Sequence, residues 1–153
     1  MAAGNLEFIT ATRYYFNADG ITDKLIQKID SANVETPATN IQSSGKGAIL
    51  QSQLSPTAAK MGSIKLTLGL TKDKDIYDWY DKCNKNNNEP NQWKSNRKNA
   101  TISAYDQTGA AVVEWTFTNC YPTSYTLPSF TAGGNDIALE VIDIVYEGLL
   151  RKK

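Results

Sequence analysis

Apolar and polar residues alternate in two stretches of the chain, Ile64–Leu70 and Ala111–Asn119, and a period of two predicts a β-strand in each. The apolar positions are Ile64, Leu66, Leu68 and Leu70 in the first stretch, and Ala111, Val113, Trp115 and Phe117 in the second. Lysine, glutamate and threonine occupy most of the positions between them. Each strand is therefore expected to bury one face and expose the other to water.

Four further strands are predicted from weaker patterns. Their ranges are Ala11–Phe16, Lys24–Ile29, Ala100–Asp106 and Asp136–Tyr146. Turn residues follow the first strand at Asn17–Gly20 and the third at Gln107–Gly109, which favours antiparallel hairpin pairing. The last strand is apolar on both faces over much of its length, which indicates burial on both sides or a contact between subunits.

One helix is predicted over 73–85. Ile76, Trp79, Tyr80 and Cys83 recur at helical spacing, and Asp73, Asp75, Asp78 and Asp81 lie off that stripe. Thr71 or Asp73 can cap its start. The aspartates could suggest a calcium site, but they lack the central glycine and closing glutamate of an EF-hand loop, so a solvated helix face is the preferred interpretation.

Three segments are interpreted as loops: Pro37–Met61, which shows no clear period, the Asn-rich Asn84–Asn99, and Tyr121–Asn135. The first, about 25 residues long, is unusually long for a loop in a compact domain, and such loops are usually functional or disordered. Ile49, Leu50 and Leu54 give it apolar anchors, so we expect it to order against a partner. Together these elements predict a single mainly β domain over 1–153, an antiparallel sandwich or barrel with one helix inserted between strands.

Composition removes most enzyme chemistry. The 153 residues include no histidine, which excludes the commonest general base and metal ligand. Cys83 and Cys120 match no metal or redox spacing and are expected to be buried thiols. No phosphate-binding loop or dinucleotide fingerprint is present. We therefore expect no catalytic residue, cofactor or metal.

Net charge and hydropathy restrict which partners and which cellular location we expect. Sixteen basic and sixteen acidic residues give a formal charge of zero, which removes the usual electrostatic reason for direct nucleic-acid binding. We expect no signal peptide, because no basic segment followed by an apolar one occurs near residue 1, and no membrane anchor, because no apolar run approaches about 20 residues. The chain is expected to be made and assembled in a bacterial cytoplasm.

The aromatic residues could instead form a sugar-stacking platform. The candidates are Trp79, Tyr80, Trp93, Trp115, Tyr121 and Tyr125. Trp79, Tyr80 and Trp115 lie on apolar stripes, which favours core packing for them. Trp93 lies in a polar loop, and it docks either on the helix or on a neighbouring subunit.

The C-terminal half resembles the inner tube proteins of contractile tails. The stretch Ala111–Thr123 resembles a W-x-F-x-N-a-x-P segment, Gly134–Glu140 a GNe-a-iE segment, and Ile144–Leu149 a closing l-a-hEGL segment. Upstream, Ile64 to Tyr80 resembles the strand and helix of the same family. The resemblance covers Gly62–Arg151 well and Tyr14–Glu35 weakly. The matching motif positions are Trp79, Trp115, Phe117, Asn119, Pro122, Asn135, Glu140, Glu147 and Gly148.

There are two departures from the family pattern. Leu68-Gly69-Leu70 replaces a frequent LkRG sequence, which puts the contact of its basic residue in doubt. Tyr146 replaces a usual histidine. Neither departure touches the expected fold.

The resemblance implies rings of six subunits that stack into a rigid hollow tube, with one continuous β-barrel around the lumen. Sheath contraction would drive the tube through a target membrane to deliver DNA or protein. The implied partners are other copies of the chain, the sheath, the baseplate hub, the tube terminator, and a cargo or tape-measure protein. The implied location is a phage tail or an extracellular or cytoplasmic injection particle.

Roles for individual residues follow as hypotheses. Lys65, Thr67, Glu114, Thr116 and Thr118 face the lumen, unless they belong to an ordinary solvent-exposed sheet face. Ile49, Leu50 and Leu54 in Pro37–Met61 contact the next ring. Asp75, Asp78 and Asp81 face outward towards the sheath, and Trp115 and Phe117 hold the sheet against the core.

Two rival functions remain at the level of sequence. One is a secreted hexameric tube unit of the type VI secretion kind that carries effectors, related to the haemolysin-coregulated tube protein. The other is a stand-alone carbohydrate-binding sandwich, which predicts a monomer with exposed aromatic residues.

Overall fold

The structure is a computed structural model that describes residues 9, 12–22, 24, 26–30, 32–44, 47, 50–85, 90 and 92–153. Those residues form eleven strands and one helix. The elements are β1 Tyr14–Ala18, β2 Ile26–Asp30, β3 Val34–Glu35, β4 Ala38–Ser44, β5 Leu50–Pro56, β6 Lys60–Met61, β7 Ser63–Gly69, α1 Asp75–Cys83, β8 Lys98–Tyr105, β9 Ala111–Thr126, β10 Leu139–Val145 and β11 Gly148–Arg151.

Strand β9, sixteen residues long, is shared by two antiparallel layers. Its first half pairs with β8 and β11, and β8 pairs in turn with β1, which makes the first layer. Its second half pairs with β10, followed by β7 and β2, which makes the second layer. The mainly β antiparallel fold with one inserted helix is confirmed.

The core lies between the two layers. Phe117 of the first layer and Tyr146, which follows β10, meet edge to face with ring centroids 4.9 Å apart. The inward apolar residues of β7 and β10 are buried, as the alternation in Ile64–Leu70 predicts for β7. The buried apolar residues in the strands of the two layers include Phe16, Ala18, Ile64, Leu66, Leu68, Ala100, Ile102, Val113, Phe117, Cys120, Ile142 and Ile144.

Helix α1 packs its apolar stripe on this core. Ile76, Trp79 and Cys83 are buried, and Trp79 Nε1 donates to the carbonyl oxygen of Asn96 at 2.9 Å. The Asp73 carboxylate accepts a hydrogen bond from the backbone N–H of Asp75 at 3.0 Å, so that a side chain satisfies one of the free donors at the start of the helix. The helix is shorter than the predicted 73–85 by two residues at each end.

The prediction that Pro37–Met61 is a loop is wrong. Strands β4 and β5 form a long hairpin, in which Ala38 pairs with Pro56 at one end and Ser44 pairs with Leu50 at the other. Strand β3 pairs with β6 at the base of this hairpin. The described side chains of the hairpin are almost all exposed, so neither face needs an apolar stripe and no period of two marks these strands.

Three boundaries in the C-terminal half also differ. Tyr121–Thr126, predicted as loop, continues β9; β10 begins at Leu139 and not at Asp136; and Gly148–Arg151 forms a strand that the sequence did not predict. Pro122 is tolerated in β9 because it lies at a register irregularity opposite Ile144. The predicted turns after β1 and β8 are present, with Gly20 at φ 77° and Gly109 at φ 88°.

Trp115 and Phe117 differ in burial and should differ in their contribution to stability. Phe117 is 1% exposed, whereas Trp115 is half-buried beside an open groove of about 510 Å³. Replacing Phe117 with alanine should lower the free energy of unfolding by about 3–5 kcal/mol, and the same change at Trp115 by about half of that. Guanidinium unfolding of dilute protein measures both changes, and an equal cost for the two would contradict the assigned burial.

Candidate functional site

The outer face of the second layer is polar. Lys65 and Thr67 alternate along β7 with buried residues, so they point away from the core. The register places Asp30 and Asp143 on either side of Lys65, and Lys28 and Val141 on either side of Thr67. Lys28 Nζ lies 3.3 Å from Asp30 Oδ1.

Glu114, Thr116 and Thr118 lie on a different surface. They alternate with Val113 and Phe117 along the first half of β9, so they point outward from the first layer. Because the two layers enclose one core, their outer faces point in different directions. The structure therefore places these five side chains on two surfaces, and the prediction that any of them lines a lumen stays a prediction.

Each layer has strand edges that no other strand covers within the described part of the chain. In the second layer these are β2 and the second half of β9. In the first layer they are β1 and β11. An edge strand presents unpaired N–H and C=O groups, which invite pairing with another chain.

The long hairpin β4–β5 is exposed and carries no charged residue in either strand. Ile41 is 53% exposed and Leu54 is 70% exposed. They pair with Gln53 and Asn40, at adjacent register positions, and therefore lie on opposite faces of the hairpin. Ile49 lies outside the described residues, and Leu50 is described only by its backbone pairing with Ser44.

The aspartates at and near the start of α1 differ in their contacts: some form an ion pair and others do not. The Lys24 ammonium group, with a side chain 9% exposed, binds the carboxylates of Asp73 and Asp75, the latter at 2.7 Å. The hydrogen bond from Lys24 lowers the pKa of Asp73 below its usual value. Asp78 is exposed and Asp81 is half-buried. Asp75 thus holds the helix start against Lys24, and Asp78 and Asp81 lie outside this ion pair.

Two family motifs meet at the point where β9 passes from one layer to the other. Asn119 has a left-handed backbone, with φ 52°, and its Nδ2 donates to Glu147 Oε2 at 2.8 Å. Arg97 Nη1 lies 2.6 Å from Glu147 Oε1. The backbone N–H of Glu147 donates to the carbonyl oxygen of Thr118 at 3.0 Å. We call Arg97, Thr118, Asn119, Glu147 and Gly148 the corner cluster.

Gly148 allows the two strands of the corner cluster to approach closely. It pairs with Thr118, and a Cβ at this position would collide with Thr118 Oγ1. The three motif positions Asn119, Glu147 and Gly148 thus share one place in the fold. Asn119 has a left-handed backbone, Glu147 accepts hydrogen bonds from both Arg97 and Asn119, and Gly148 leaves room for Thr118 on the neighbouring strand.

The other motif positions are spread over the core and the surface. Pro122 is buried, and its carbonyl oxygen accepts from Asn84 Nδ2 at 2.6 Å. Glu140 accepts a hydrogen bond from the hydroxyl of Tyr125; burial, together with this bond, raises the pKa of Tyr125 to about 12. Asn135 is exposed in the segment between β9 and β10.

The aromatic candidates do not form one platform. Trp79 is buried, and Tyr80 and Tyr125 pack together with Tyr77, whose ring lies 5.2 Å from that of Tyr125. Trp93 lies 5.5 Å from the Tyr121 ring, with the Arg97 guanidinium group 5.3 Å from its own centroid. Trp93 therefore packs against Tyr121 of β9 within the same subunit.

The described residues offer little reactive chemistry. Burial raises the pKa of the Cys83 thiol, and it raises that of Cys120 to about 12, so neither thiol is ionised near neutral pH. No group of three or more metal-ligating residues occurs in the described part of the chain. None of its helices is long and apolar enough to cross a bilayer.

The close contact at Gly148 yields a testable coupling. Gly148→Ala should destabilise the domain by about 1–3 kcal/mol, because the added methyl group overlaps Thr118 Oγ1. Adding Thr118→Ala should recover most of that loss, as a double-mutant cycle measured by chemical denaturation would show. Gly69→Ala is the matched control, since open space surrounds that position. Additive effects of the two substitutions would contradict the contact.

Comparison with known structures gives a consistent fold. A chain of an extracellular contractile injection system, solved as the PVC sheath-tube complex in its extended state, is similar with a TM-score of 0.78, at 22% identity over 97% of this chain and 93% of that one. A chain of the anti-feeding prophage tube-terminating cap is similar with a TM-score of 0.73, at 22% identity over 100% and 99%. Hcp1 from Flavobacterium johnsoniae is similar with a TM-score of 0.58, at 17% identity over 95% of each chain.

Sequence comparison identifies the family. Among curated proteins, no sequence matches this one. The family model described as T4-like virus tail tube protein gp19 matches residues 10–150, which is nearly the whole chain. The chain belongs to the T4-like virus tail tube protein gp19 family.

Proposed function

We propose that this protein is the structural subunit of the inner tube of a contractile tail or injection system, and that six copies form a ring whose second layers close into one barrel. The observation that carries the proposal is the second layer itself, with four antiparallel strands and an uncovered strand at each edge in the described residues. The fold likeness to chains of injection particles supports it.

Strand direction is compatible with this closure. Along the second layer the strands alternate in direction from β9 through β10 and β7 to β2, so β9 and β2 run in opposite directions. Rotation about the tube axis does not reverse a strand. The β2 edge of one copy would therefore meet the β9 edge of the next in antiparallel pairing, which satisfies the free backbone groups of both.

The size of such a barrel follows from strand spacing. Six copies of four strands, about 4.8 Å apart, give a circumference of about 115 Å, and hence a backbone diameter of about 37 Å for upright strands. Strand tilt widens the barrel further. Such a channel admits a polypeptide helix, whose diameter is about 10–12 Å.

The second layer suits the lumen because the rest of the subunit lies on its other side. The first layer covers part of its inner face, and α1 covers the second half of β9 through the contacts of Tyr77 and Tyr80 with Tyr125. A ring has more room at larger radius, so this bulk belongs outside. Lys65 and Thr67 then face the lumen, whereas Glu114, Thr116 and Thr118 face outward.

The long hairpin is the proposed contact between stacked rings. An exposed hairpin without charges, carrying Ile41 and Leu54 on its surfaces, is prone to pair with other chains. In a tube, the neighbouring ring would cover it. Since no charged side chain of β4 or β5 takes part, high salt should not separate the rings.

Partners and location follow from the same proposal. The similar chains come from structures described as a sheath-tube complex, a baseplate and a tube-terminating cap. The proposed partners are a sheath, a baseplate hub, a tube terminator and a polypeptide in the lumen, and the proposed location is a phage tail or an injection particle. The proposed role is mechanical, with no catalytic step.

Electron microscopy and size-exclusion chromatography test the proposal directly. The purified protein should form stacked tubes of uniform diameter. Isolated hexamers that bind an effector would favour the type VI kind of carrier, and a monomer that binds glycans would overturn the proposal.

Removing the hairpin should separate ring formation from stacking. Replacing residues 38–56 with a short glycine linker should leave rings and abolish tubes, because the second layer is intact. The double variant Ile41→Ser and Leu54→Ser should shorten the tubes, since it removes the exposed apolar contacts. Negative-stain images measure both effects, and full-length tubes without the hairpin would refute the stacking role.

Neutralising the outward side of α1 should weaken sheath binding. Asp78→Asn with Asp81→Asn removes the acidic surface and spares the ion pair of Asp75 with Lys24. Co-sedimentation of purified sheath with preformed tubes should fall, while tube assembly stays unchanged. Asp136→Asn, in the exposed segment before β10, is the control. Normal sheath binding by the double variant would exclude this surface as the contact.

A further inference from the structure

The outer face of the second layer carries charges in compensating pairs. Four side chains that are charged at neutral pH lie on this face of β2, β7, β10 and the second half of β9: Lys28, Asp30, Lys65 and Asp143. Two are positive and two are negative, so they sum to zero at neutral pH. The other positions near the middle of this face, Thr67, Ser124, Thr126 and Val141, carry no charge.

Opposite charges on this face are also direct neighbours. Lys65 on β7 has Asp30 opposite it on β2 and Asp143 opposite it on β10. Directly opposed side chains on neighbouring strands have Cβ atoms about 4.5–5.5 Å apart, close enough to attract. Lys28 lies 3.3 Å from Asp30. Each lysine of this face therefore has at least one aspartate as a direct neighbour.

Neighbouring opposite charges of this kind produce only a weak electrostatic field in the proposed lumen. Opposite charges this close cancel at distances beyond their separation, and salt screens what remains over about 8 Å at physiological ionic strength. Tight binding of a polyanion requires lysines or arginines that can release the phosphate counterions, and here aspartates already neutralise the lysines.

We infer that the lumen wall is charge-compensated, so that it holds neither a polyanion nor a polycation and lets a polypeptide cargo of either net charge pass. The inference rests on the proposed function, because it assumes that the second layer lines the tube. It follows that the wall does not select cargo by net charge, and that whatever retains the cargo acts elsewhere.

Unbalancing the wall tests the inference. Tubes assembled in the presence of a short fluorescent DNA duplex are treated with nuclease, and the protected duplex is measured. Wild-type tubes should protect almost none. Asp30→Asn with Asp143→Asn leaves Lys28 and Lys65 uncompensated and should raise protection at least about tenfold, an effect that is lost at high salt.

A matched control changes the same number of charges elsewhere. Glu114→Gln with Asp136→Asn removes two acidic groups from the outer face of the first layer and from an exposed loop. This variant should protect no more duplex than the wild type. Protection by wild-type tubes, or equal protection by the two double variants, would overturn the inference.

A second arm covers the case in which the first variant does not assemble. Lys28→Gln with Lys65→Gln leaves the two aspartates uncompensated, so its tubes should retain a fluorescent oligolysine that wild-type tubes release on washing. Retention of oligolysine by wild-type tubes, or none by this variant, would also overturn the inference. If wild-type protein forms no tubes, the proposed function fails first, and microscopy of the same samples reports that outcome separately.

Discussion

The structure depends on a single strand that serves two layers. The first half of β9 belongs to one layer and the second half to the other, so the chain must change direction between Thr118 and Cys120 without losing its hydrogen bonds. The left-handed backbone of Asn119 makes this change, and Glu147 holds it by accepting from Asn119 and by its ion pair with Arg97. Strand β11 begins at the same corner, where Gly148 pairs with Thr118. The absence of a Cβ at Gly148 lets the two strands approach closely. The most specific family motifs therefore describe a corner of the fold and not a reactive site.

The corner also decides which surfaces are left for assembly. Once β9 leaves the first layer, its second half has β10 on one side and an uncovered edge on the other, and β2 forms the opposite edge of the same layer. The two antiparallel edges are liabilities for an isolated subunit, because they promote pairing between chains. The uncharged hairpin adds a third such surface. The proposed stack of rings would cover all three surfaces, and features that are unfavourable in an isolated subunit would then become contacts between subunits.

Much of the fold could be predicted from the sequence wherever one face of an element is buried. The alternation in Ile64–Leu70 predicted β7, and the stripe of Ile76, Trp79 and Cys83 predicted α1, because burial selects apolar residues at a fixed period. The hairpin β4–β5 was missed because burial does not act on it: its described side chains are almost all exposed, so its sequence shows no apolar period. The continuation of β9 past Pro122 was missed because a proline usually ends a strand, and only the register irregularity opposite Ile144 accommodates it.

By itself, the sequence determined the two-faced strands, the helix, the absence of histidine chemistry and the motifs that place the chain in a tail tube family. Only the tertiary structure decided that Lys65 and Thr67 lie on one layer while Glu114, Thr116 and Thr118 lie on the other, and that Lys65 stands between Asp30 and Asp143. The physical reason is that a period of two specifies which side chains share a face of their own strand. It does not specify which distant strand pairs beside that strand, and the neighbours across the sheet determine the charge of the surface.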